Sequence, residues 1–241
     1  MELHIAKDTQ QLSENLAAFI SQKIQDVLQQ QEIFTFVLSG GSTPKSLYAL
    51  LAKEPYIDMI PWARVHFFWG DERAVPFEDA RNNARMAFDV LLDKTGTPPE
   101  NIHVMRTDIE PELAAAEYEK ILHRYFDGKS NTFDLVLLGM GDDGHTLSLF
   151  PGLPIVHEKK AWVKAFFLKA QDMYRITLTA PVTNLASSVV FMATGAGKAL
   201  TLQGVINGAP DPDRYPSQLI RPENGELHWF VDEAAAEALQ V

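Results

Sequence analysis

The sequence predicts an α/β fold in which a mostly parallel sheet carries helices on both faces. Short apolar runs, rich in β-branched and aromatic residues, alternate with longer stretches whose apolar residues recur at helical spacing. Several of the short runs end in glycine-bearing loops, as strands do where a parallel sheet meets its crossover helices. A chain of 241 residues is long enough for one such domain, and we expect residues 1–241 to form it.

The individual elements follow from these periodicities and from the positions of glycine and proline. Along the first half of the chain the patterns predict helix 9–31, strand 33–38, a helix from Pro44 to about Leu51, strand 65–69, a loop from Asp71 to Arg81, a helix near 83–92 and a strand at 102–104. Along the second half they predict helix 111–126, strand 133–138, neighbouring strands 162–168 and 174–179, strand 189–193, a helix after Gly197 and strand 227–231.

Composition excludes several classes of function. The formal net charge is −11, from 32 acidic and 21 basic residues, so a nucleic-acid partner is not expected. Cysteine is absent, which rules out disulfides, thiolate metal sites and thiol catalysis. The sequence contains neither a signal-peptide pattern nor an apolar run long enough to span a membrane, and we expect a cytoplasmic protein without membrane partners.

Four loops that follow predicted strands carry glycine together with polar side chains: Ser39–Thr43, Gly70–Arg73, Gly139–Gly144 and Gly195–Gly197. In open α/β sheets, ligands bind beyond the carboxyl ends of the strands, so these loops are expected to meet in one crevice. The first has the ingredients of an anion cradle, although a tight turn capped by Ser42 or Thr43 would have the same sequence.

Three side chains in these loops suit an anionic, hydroxylated ligand. Asp71 can position a substrate hydroxyl or a water molecule, and Arg73 can bind a carboxylate or phosphate through its planar fork. Lys198 can bring a point charge to a phosphate at the start of a helix. Each of these residues, taken alone, also fits an ordinary solvated position.

The segment from Gly139 to His145 carries the strongest signal, since its three glycines permit positive φ and close ligand approach. Its histidine can take a proton from water at neutral pH, and either Asp142 or Asp143 can orient the imidazole. We do not expect a metal here, because no second histidine lies nearby at ligand spacing. A structural role suits most of the other six histidines.

Six motifs occur in an order and spacing that resemble those of the 6-phosphogluconolactonase family, from about residue 30 to residue 231. They are LSGGSTP at Leu38–Pro44, WGDERAVP at Trp69–Pro76, NARMA at Asn83–Ala87, GMGDDGHTLSLFPG at Gly139–Gly152, RITLT at Arg175–Thr179 and GAGKA at Gly195–Ala199. The departures are Leu147, where a small residue is usual, and Asn82, where serine is common; Leu147 puts the shape of the floor behind His145 in doubt.

The resemblance implies a Rossmann-like fold of the glucosamine-6-phosphate deaminase/ribose-5-phosphate isomerase type. It implies a carboxylic ester hydrolase that opens 6-phospho-D-glucono-1,5-lactone to 6-phosphogluconate in the oxidative pentose phosphate pathway, with neither metal nor organic cofactor. The expected ligand is this phosphosugar lactone. The chain itself is expected to be a monomer or a small homo-oligomer.

The same resemblance assigns roles to residues. His145 is expected to be the base that activates water. Which of Asp142 and Asp143 supports it stays open, although the motif alignment points to Asp143. Asp71, which can position a hydroxyl or water, is expected as a further catalytic group. The substrate-binding positions of the family fall on Gly40, Gly41, Ser42, Arg73 and Lys198, and we expect Thr43 and Arg175 to bind the substrate or its phosphate with them.

Two alternatives remain at this stage. A sugar-phosphate isomerase or deaminase on the same fold also uses an aspartate and the loop histidine, although the DERAVP and HTLSLFPG contexts favour the lactonase. A non-catalytic sugar-phosphate sensor is the second, but the chain shows no added helix-turn-helix, and its acidity opposes DNA binding.

Overall fold

The structure is a computed structural model that describes residues 1–240. These residues contain nine β-strands: β1 (Glu2–Ala6), β2 (Phe34–Leu38), β3 (Val65–Trp69), β4 (Asp71–Arg73), β5 (Leu135–Gly139), β6 (Val163–Leu168), β7 (Met173–Leu178), β8 (Ser188–Ala193) and β9 (Glu226–Asp232). The α-helices are α1 (Thr9–Leu28), α2 (Ser42–Leu51), α3 (Tyr56–Met59), α4 (Asn83–Ala87), α5 (Asp93–Thr95), α6 (Pro111–Phe126), α7 (Ala180–Thr183), α8 (Ala199–Ile206) and α9 (Glu233–Ala236).

Short helical turns connect several of these elements. A π-type turn at Phe88–Leu92 continues α4, and 3₁₀ turns occur at Trp62–Arg64, Pro99–Asn101, Pro154–His157, Lys169–Gln171, Ala196–Lys198 and Pro216–Leu219. No helix within residues 1–240 is long and apolar enough to cross a membrane.

The large sheet has six parallel strands in the order β1-β9-β8-β5-β2-β3. Its central strands are apolar on both faces because helices cover both. Along β2, Phe36 and Leu38 join the core under α1 and α2, whereas Val37 points into the opposite core with Tyr118 of α6. The predicted fold class, a mostly parallel sheet between two helical layers, is confirmed.

A smaller antiparallel sheet, in the order β4-β7-β6, stands beside the carboxyl edge of the large one. The chain passes from one sheet to the other at Gly70. The amide of Gly70 donates to the Leu38 carbonyl at 3.0 Å, and its carbonyl accepts from the Leu178 amide at 2.8 Å. Because of this junction, the polar residues Asp71–Arg73 lie at the carboxyl ends of the parallel strands.

The strand order reverses between β2 and β5. The chain leaves β2 for β3 on one side, whereas it leaves β5 for β8 on the other. A crevice opens where the connections diverge in this way, and ligands of open α/β sheets bind there. Ser39, which follows β2, and the loop Met140–His145, which follows β5, flank this switch point.

The structure corrects four of the predicted elements. Residues 71–73 form β4 instead of a loop, because their backbone pairs with β7. The strand predicted at 102–104 is reduced to a single bridge between Phe67 and Ile102. Helix 83–92 is α4 followed by the π-type turn, and α1 ends at Leu28 rather than at residue 31. Strand β1, which pairs with β9 at the sheet edge, was missing from the prediction.

Candidate active site

A small cavity lies at the switch point, between the two sheets. Its walls come from the loop after β2, from β4, from the start of α4, from the loop after β5 and from β7. The side chains and backbone that line it belong to Ser39, Gly40, Asp71, Arg73, Asn83, Gly139, Met140, Gly141, His145, Leu147 and Arg175. Three of the four loops predicted to converge beyond the strand ends contribute to this lining, whereas the fourth, Gly195–Gly197, does not.

His145 and Asp143 form a hydrogen-bonded pair at this cavity. The Nδ1 of His145 lies 2.6 Å from Oδ1 of Asp143, which also accepts the His145 backbone amide at 3.1 Å. The bond from His145 holds the pKa of the Asp143 carboxyl at about 2, well below its usual value. Asp143 is therefore ionised at neutral pH and fixes the proton of the imidazole on Nδ1. Within residues 1–240, Nε2 makes no hydrogen bond, which leaves its lone pair available.

The imidazole is held in place by close packing as well as by its bond to Asp143. Its ring stacks on Phe150 with the centroids 4.3 Å apart, and the His145 carbonyl accepts from the amide of Gly141 at 2.8 Å. A Cβ on Gly141 would lie 2.1 Å from Nδ1 of His145. The glycine is required here because the ring occupies the space that any side chain would need.

A buried ion pair forms the floor of the cavity. Arg175 donates from Nη2 to Oδ2 of Asp71 at 3.0 Å, and the two side chains are only 4% and 10% exposed. Ser148 bridges the pair, since its hydroxyl donates to Oδ2 of Asp71 at 2.6 Å and accepts from Nε of Arg175 at 2.9 Å. Burial lowers the pKa of the Arg175 guanidinium, and the Asp71 carboxylate opposes that shift. The charges of Asp71 and Arg175 are thus compensated within the protein, and their contact holds β4 beside β7.

Glu72 anchors the start of α4 from the other side of β4. Its carboxylate accepts backbone amides from Arg73, Asn83 and Ala84 at 2.7–2.8 Å. Burial raises the pKa of Glu72 to about 7, although these three bonds act in the opposite direction. The contact brings Asn83 beside Gly40, where a Cβ would lie 1.9 Å from its Oδ1. Gly40 is therefore needed so that the Asn83 amide can approach the loop after β2.

Arg73 lines the cavity with part of its hydrogen-bonding capacity unused. Its Nη1 donates to the Arg81 carbonyl at 2.7 Å, whereas its Nε is buried and has no partner among the described residues. Buried donors are almost always satisfied in folded proteins. Because this Nε has almost no exposed surface, it can donate to a ligand only after the Arg73 side chain shifts. Leu147 completes the floor beside Gly70, in a left-handed backbone conformation (φ 53°) that is unusual for leucine.

A second group of polar residues, here called the rim, lies at the start of α2, in the loops after β5 and β8 and at the end of β9, outside the cavity lining. Lys198 forms an ion pair with Asp142 through Nζ and Oδ1 at 2.6 Å. The Thr43 and Thr194 hydroxyls, 3.2 Å apart, connect the start of α2 to the loop after β8. Asp232 accepts the Gly195 amide at 2.9 Å and so ties that loop to the end of β9.

The structure thus brings together most of the residues predicted for the site. Gly40, Asp71, Arg73, His145 and Arg175 line the cavity. Asp143 contacts His145, whereas Asp142 contacts Lys198. Gly41, Ser42, Thr43 and Lys198 are outside the cavity lining.

Asn83 and Ser148, whose side chains form hydrogen bonds within the site, were absent from the predicted set. Asn83 lines the cavity and donates to the Asp71 carbonyl at 2.9 Å, and Ser148 bridges the ion pair. Both stand within motifs that resemble the lactonase family, which was the only signal in the sequence that could have found them.

The arrangement supports proton transfer to and from a bound molecule. An imidazole with one nitrogen fixed by a carboxylate and the other free is the geometry of a general base. The guanidinium of Arg73 brings positive charge to the same cavity, whereas that of Arg175 is compensated by Asp71.

The chain is similar to several known proteins along most of its length. A family model described as glucosamine-6-phosphate isomerases/6-phosphogluconolactonase matches residues 7–229. A 6-phosphogluconolactonase of Nostoc sp. is 41% identical over 223 residues, which cover 91% of this chain and 90% of the relative. The solved 6-phosphogluconolactonase of Trypanosoma brucei matches with a TM-score of 0.89 at 30% identity, covering 99% of this chain and 98% of that one. A monomeric glucosamine-6-phosphate deaminase has a TM-score of 0.84 at 17% identity over 99% and 100% of the two chains, and shares the fold alone.

The buried ion pair leads to a prediction about stability. Replacement Arg175→Met leaves the Asp71 carboxylate buried without a counter-charge, so the free energy of unfolding should fall by roughly 3–5 kcal/mol in urea denaturation. The double variant Asp71→Asn/Arg175→Met should regain part of that loss, because no charge is then left uncompensated.

A matched control is Arg85→Met, which removes an exposed ion pair between Arg85 of α4 and Asp89 of the following π-type turn and should barely move the unfolding midpoint. An Arg175→Met protein as stable as the wild type would show that the pair does not hold β4 against β7.

Proposed function

The chain belongs to the glucosamine-6-phosphate isomerase/6-phosphogluconolactonase family, and we propose that it opens 6-phospho-D-glucono-1,5-lactone by means of a water molecule activated by His145. Its relatives of that name support the hydrolysis, the second step of the oxidative pentose phosphate pathway. The observation that carries the mechanism is the fixed Nδ1 of His145, bonded to an ionised Asp143, with Nε2 unpaired at the cavity.

In this mechanism Nε2 of His145 accepts a proton from water as the water oxygen adds to C1 of the lactone. The tetrahedral intermediate collapses with cleavage of the bond between C1 and the ring oxygen, and the protonated Nε2 returns its proton to that oxygen. Asp143 stays ionised throughout and stabilises the imidazolium that forms between the two steps. Positive charge from Arg73 offsets the oxyanion that develops at C1.

The phosphate of the substrate is proposed to bind along the rim. The start of α2 after Gly41 offers free amides and the hydroxyls of Ser42 and Thr43, and Thr43 contacts the loop that leads to Lys198. A phosphate dianion bound there competes with Asp142 for the Lys198 ammonium, whose Nζ lies 2.6 Å from Oδ1 of Asp142. A substrate held by this remote group keeps C1 aligned with Nε2 of His145.

The direct test is lactone hydrolysis measured against the spontaneous rate at the same pH, since the lactone also opens unaided. Glucosamine 6-phosphate, offered under the same conditions, tests the alternative of a deaminase. Turnover of glucosamine 6-phosphate without any lactonase rate above the blank would reject the proposed function.

Replacement of the proposed base should remove most of the catalytic rate while the protein stays folded. We expect His145→Gln to lower kcat by about 10²–10⁴, the usual contribution of a general base. His123→Gln is the matched control, because His123 also pairs with an aspartate, at 2.7 Å from Asp127, but lies on α6 away from the cavity. A kcat for His145→Gln within a factor of two of the control would remove His145 from this role.

Replacement of the rim lysine should weaken recognition of the phosphate without affecting the base. Lys198→Met is expected to lower kcat/KM for the phospholactone by about 10- to 100-fold, the range for a lost hydrogen bond to a charged group. The same variant should hydrolyse glucono-1,5-lactone, which has no phosphate, as well as the wild type does.

Lys120→Met, an exposed substitution on α6, provides the control for loss of a positive charge. Equal losses on the two lactones in Lys198→Met would show that Lys198 does not bind the phosphate.

A further inference from the structure

Two histidines and a glutamate converge at the edge of the large sheet, away from the active site. Glu2 and His4 are two residues apart on β1, so their side chains lie on the same face of the strand. His228 of β9 is aligned with Glu2 in the parallel register, which places it on that face as well. The cluster is covered by α1, and β1 lies three strands away from β5, which carries the His145 loop.

The distances between the three side chains match those of ligands around one small cation. His4 Nε2 lies 3.2 Å from His228 Nδ1, and Oε2 of Glu2 lies 3.5 Å from His228 Nδ1 and 3.9 Å from His4 Nε2. Ligand atoms bound tetrahedrally at the Zn²⁺ distances of about 2.0–2.1 Å are separated by roughly 3.3–3.4 Å. Side-chain shifts of a few tenths of an ångström would therefore bring all three atoms into coordination.

The surroundings of His228 orient its Nδ1 toward His4 and Glu2. Its Nε2 lies 3.5 Å from Oε2 of Glu226, and this carboxylate is held by Lys23 of α1 at 2.6 Å. A carboxylate on the far nitrogen of a histidine fixes the proton there and turns the lone pair of the near nitrogen toward a metal. The His4 ring is fixed in turn by stacking on Phe230, with centroids 4.3 Å apart.

We propose that Glu2, His4 and His228 bind one Zn²⁺ ion, with water as the fourth ligand. Imidazole nitrogens and a carboxylate oxygen form a donor set that suits Zn²⁺, whereas Mg²⁺ prefers oxygen alone. The cluster is open to solvent on the side of Glu2, whose side chain is 67% exposed, so the ion can enter without rearrangement of the sheet. Bound Zn²⁺ joins edge strand β1 to β9 and stabilises the fold without taking part in catalysis.

Direct binding of Zn²⁺ is measured on tag-free protein that has been freed of metal with a chelator. Titration against a chromophoric Zn²⁺ indicator should give one equivalent per chain, and a saturating concentration should raise the thermal midpoint by several degrees. Mg²⁺ at the same concentration should have no effect. Glu2→Gln and His4→Gln should each weaken Zn²⁺ binding about 10-fold or more, with lactone turnover unchanged.

The variant His123→Gln serves as control, since it removes a surface histidine–aspartate pair without a second imidazole and should leave Zn²⁺ binding unchanged. Glu2→Gln alters an exposed side chain, so it tests the site even if His4→Gln fails to fold. Diffraction data collected at the zinc absorption edge should show a peak between His4 and His228. A peak at His145 instead, or equal Zn²⁺ affinity in the wild type and Glu2→Gln, would overturn the proposal.

Discussion

The hydrogen bond between Asp143 and Nδ1 of His145 is the contact on which the rest of the site depends. It joins two residues of one short loop, and it forms because the loop turns back sharply enough for the His145 carbonyl to accept the Gly141 amide. The same turn leaves no room for a side chain at Gly141. Loop geometry, imidazole orientation and the ionised state of Asp143 are therefore three consequences of one local arrangement.

The second sheet provides what this loop cannot supply by itself. Since β3 continues through Gly70 into β4, the backbone of the parallel sheet carries Asp71 and Arg73 directly to the cavity. The register of β4 with β7 sets Arg73 opposite Arg175, and the ion pair with Asp71 neutralises one of the two guanidinium groups. Arg73, which also lines the cavity, forms no ion pair with a carboxylate among residues 1–240 and keeps its positive charge there.

The sequence predicts the parts of this molecule in which local patterns and tertiary structure agree. Strands β2, β3, β5 and β8 are apolar because both faces are covered, and the glycine loops that follow them were expected to meet at one edge. Strand β4 was not predicted because its residues are charged. They are buried through contacts with residues far away in the sequence, such as the ion pair of Asp71 with Arg175. The role of Ser148 depends on contacts with Asp71 and Arg175, 77 and 27 residues away, which no local pattern encodes. The same contacts hold Arg175, which was expected to bind substrate.

The central claim is that catalysis requires a fixed position of the His145 imidazole. The hydrogen bond to Asp143 sets that position, and the missing side chain of Gly141 leaves room for the ring. The most direct measurement is kcat for Gly141→Ala compared with Gly197→Ala, whose added methyl would meet nothing within 4 Å. Displacement of the ring should lower kcat of Gly141→Ala by about 10²-fold, the scale for misplacement by 1 Å, while Gly197→Ala retains wild-type turnover. Equal turnover in the two variants, with Gly141→Ala correctly folded, would contradict the account.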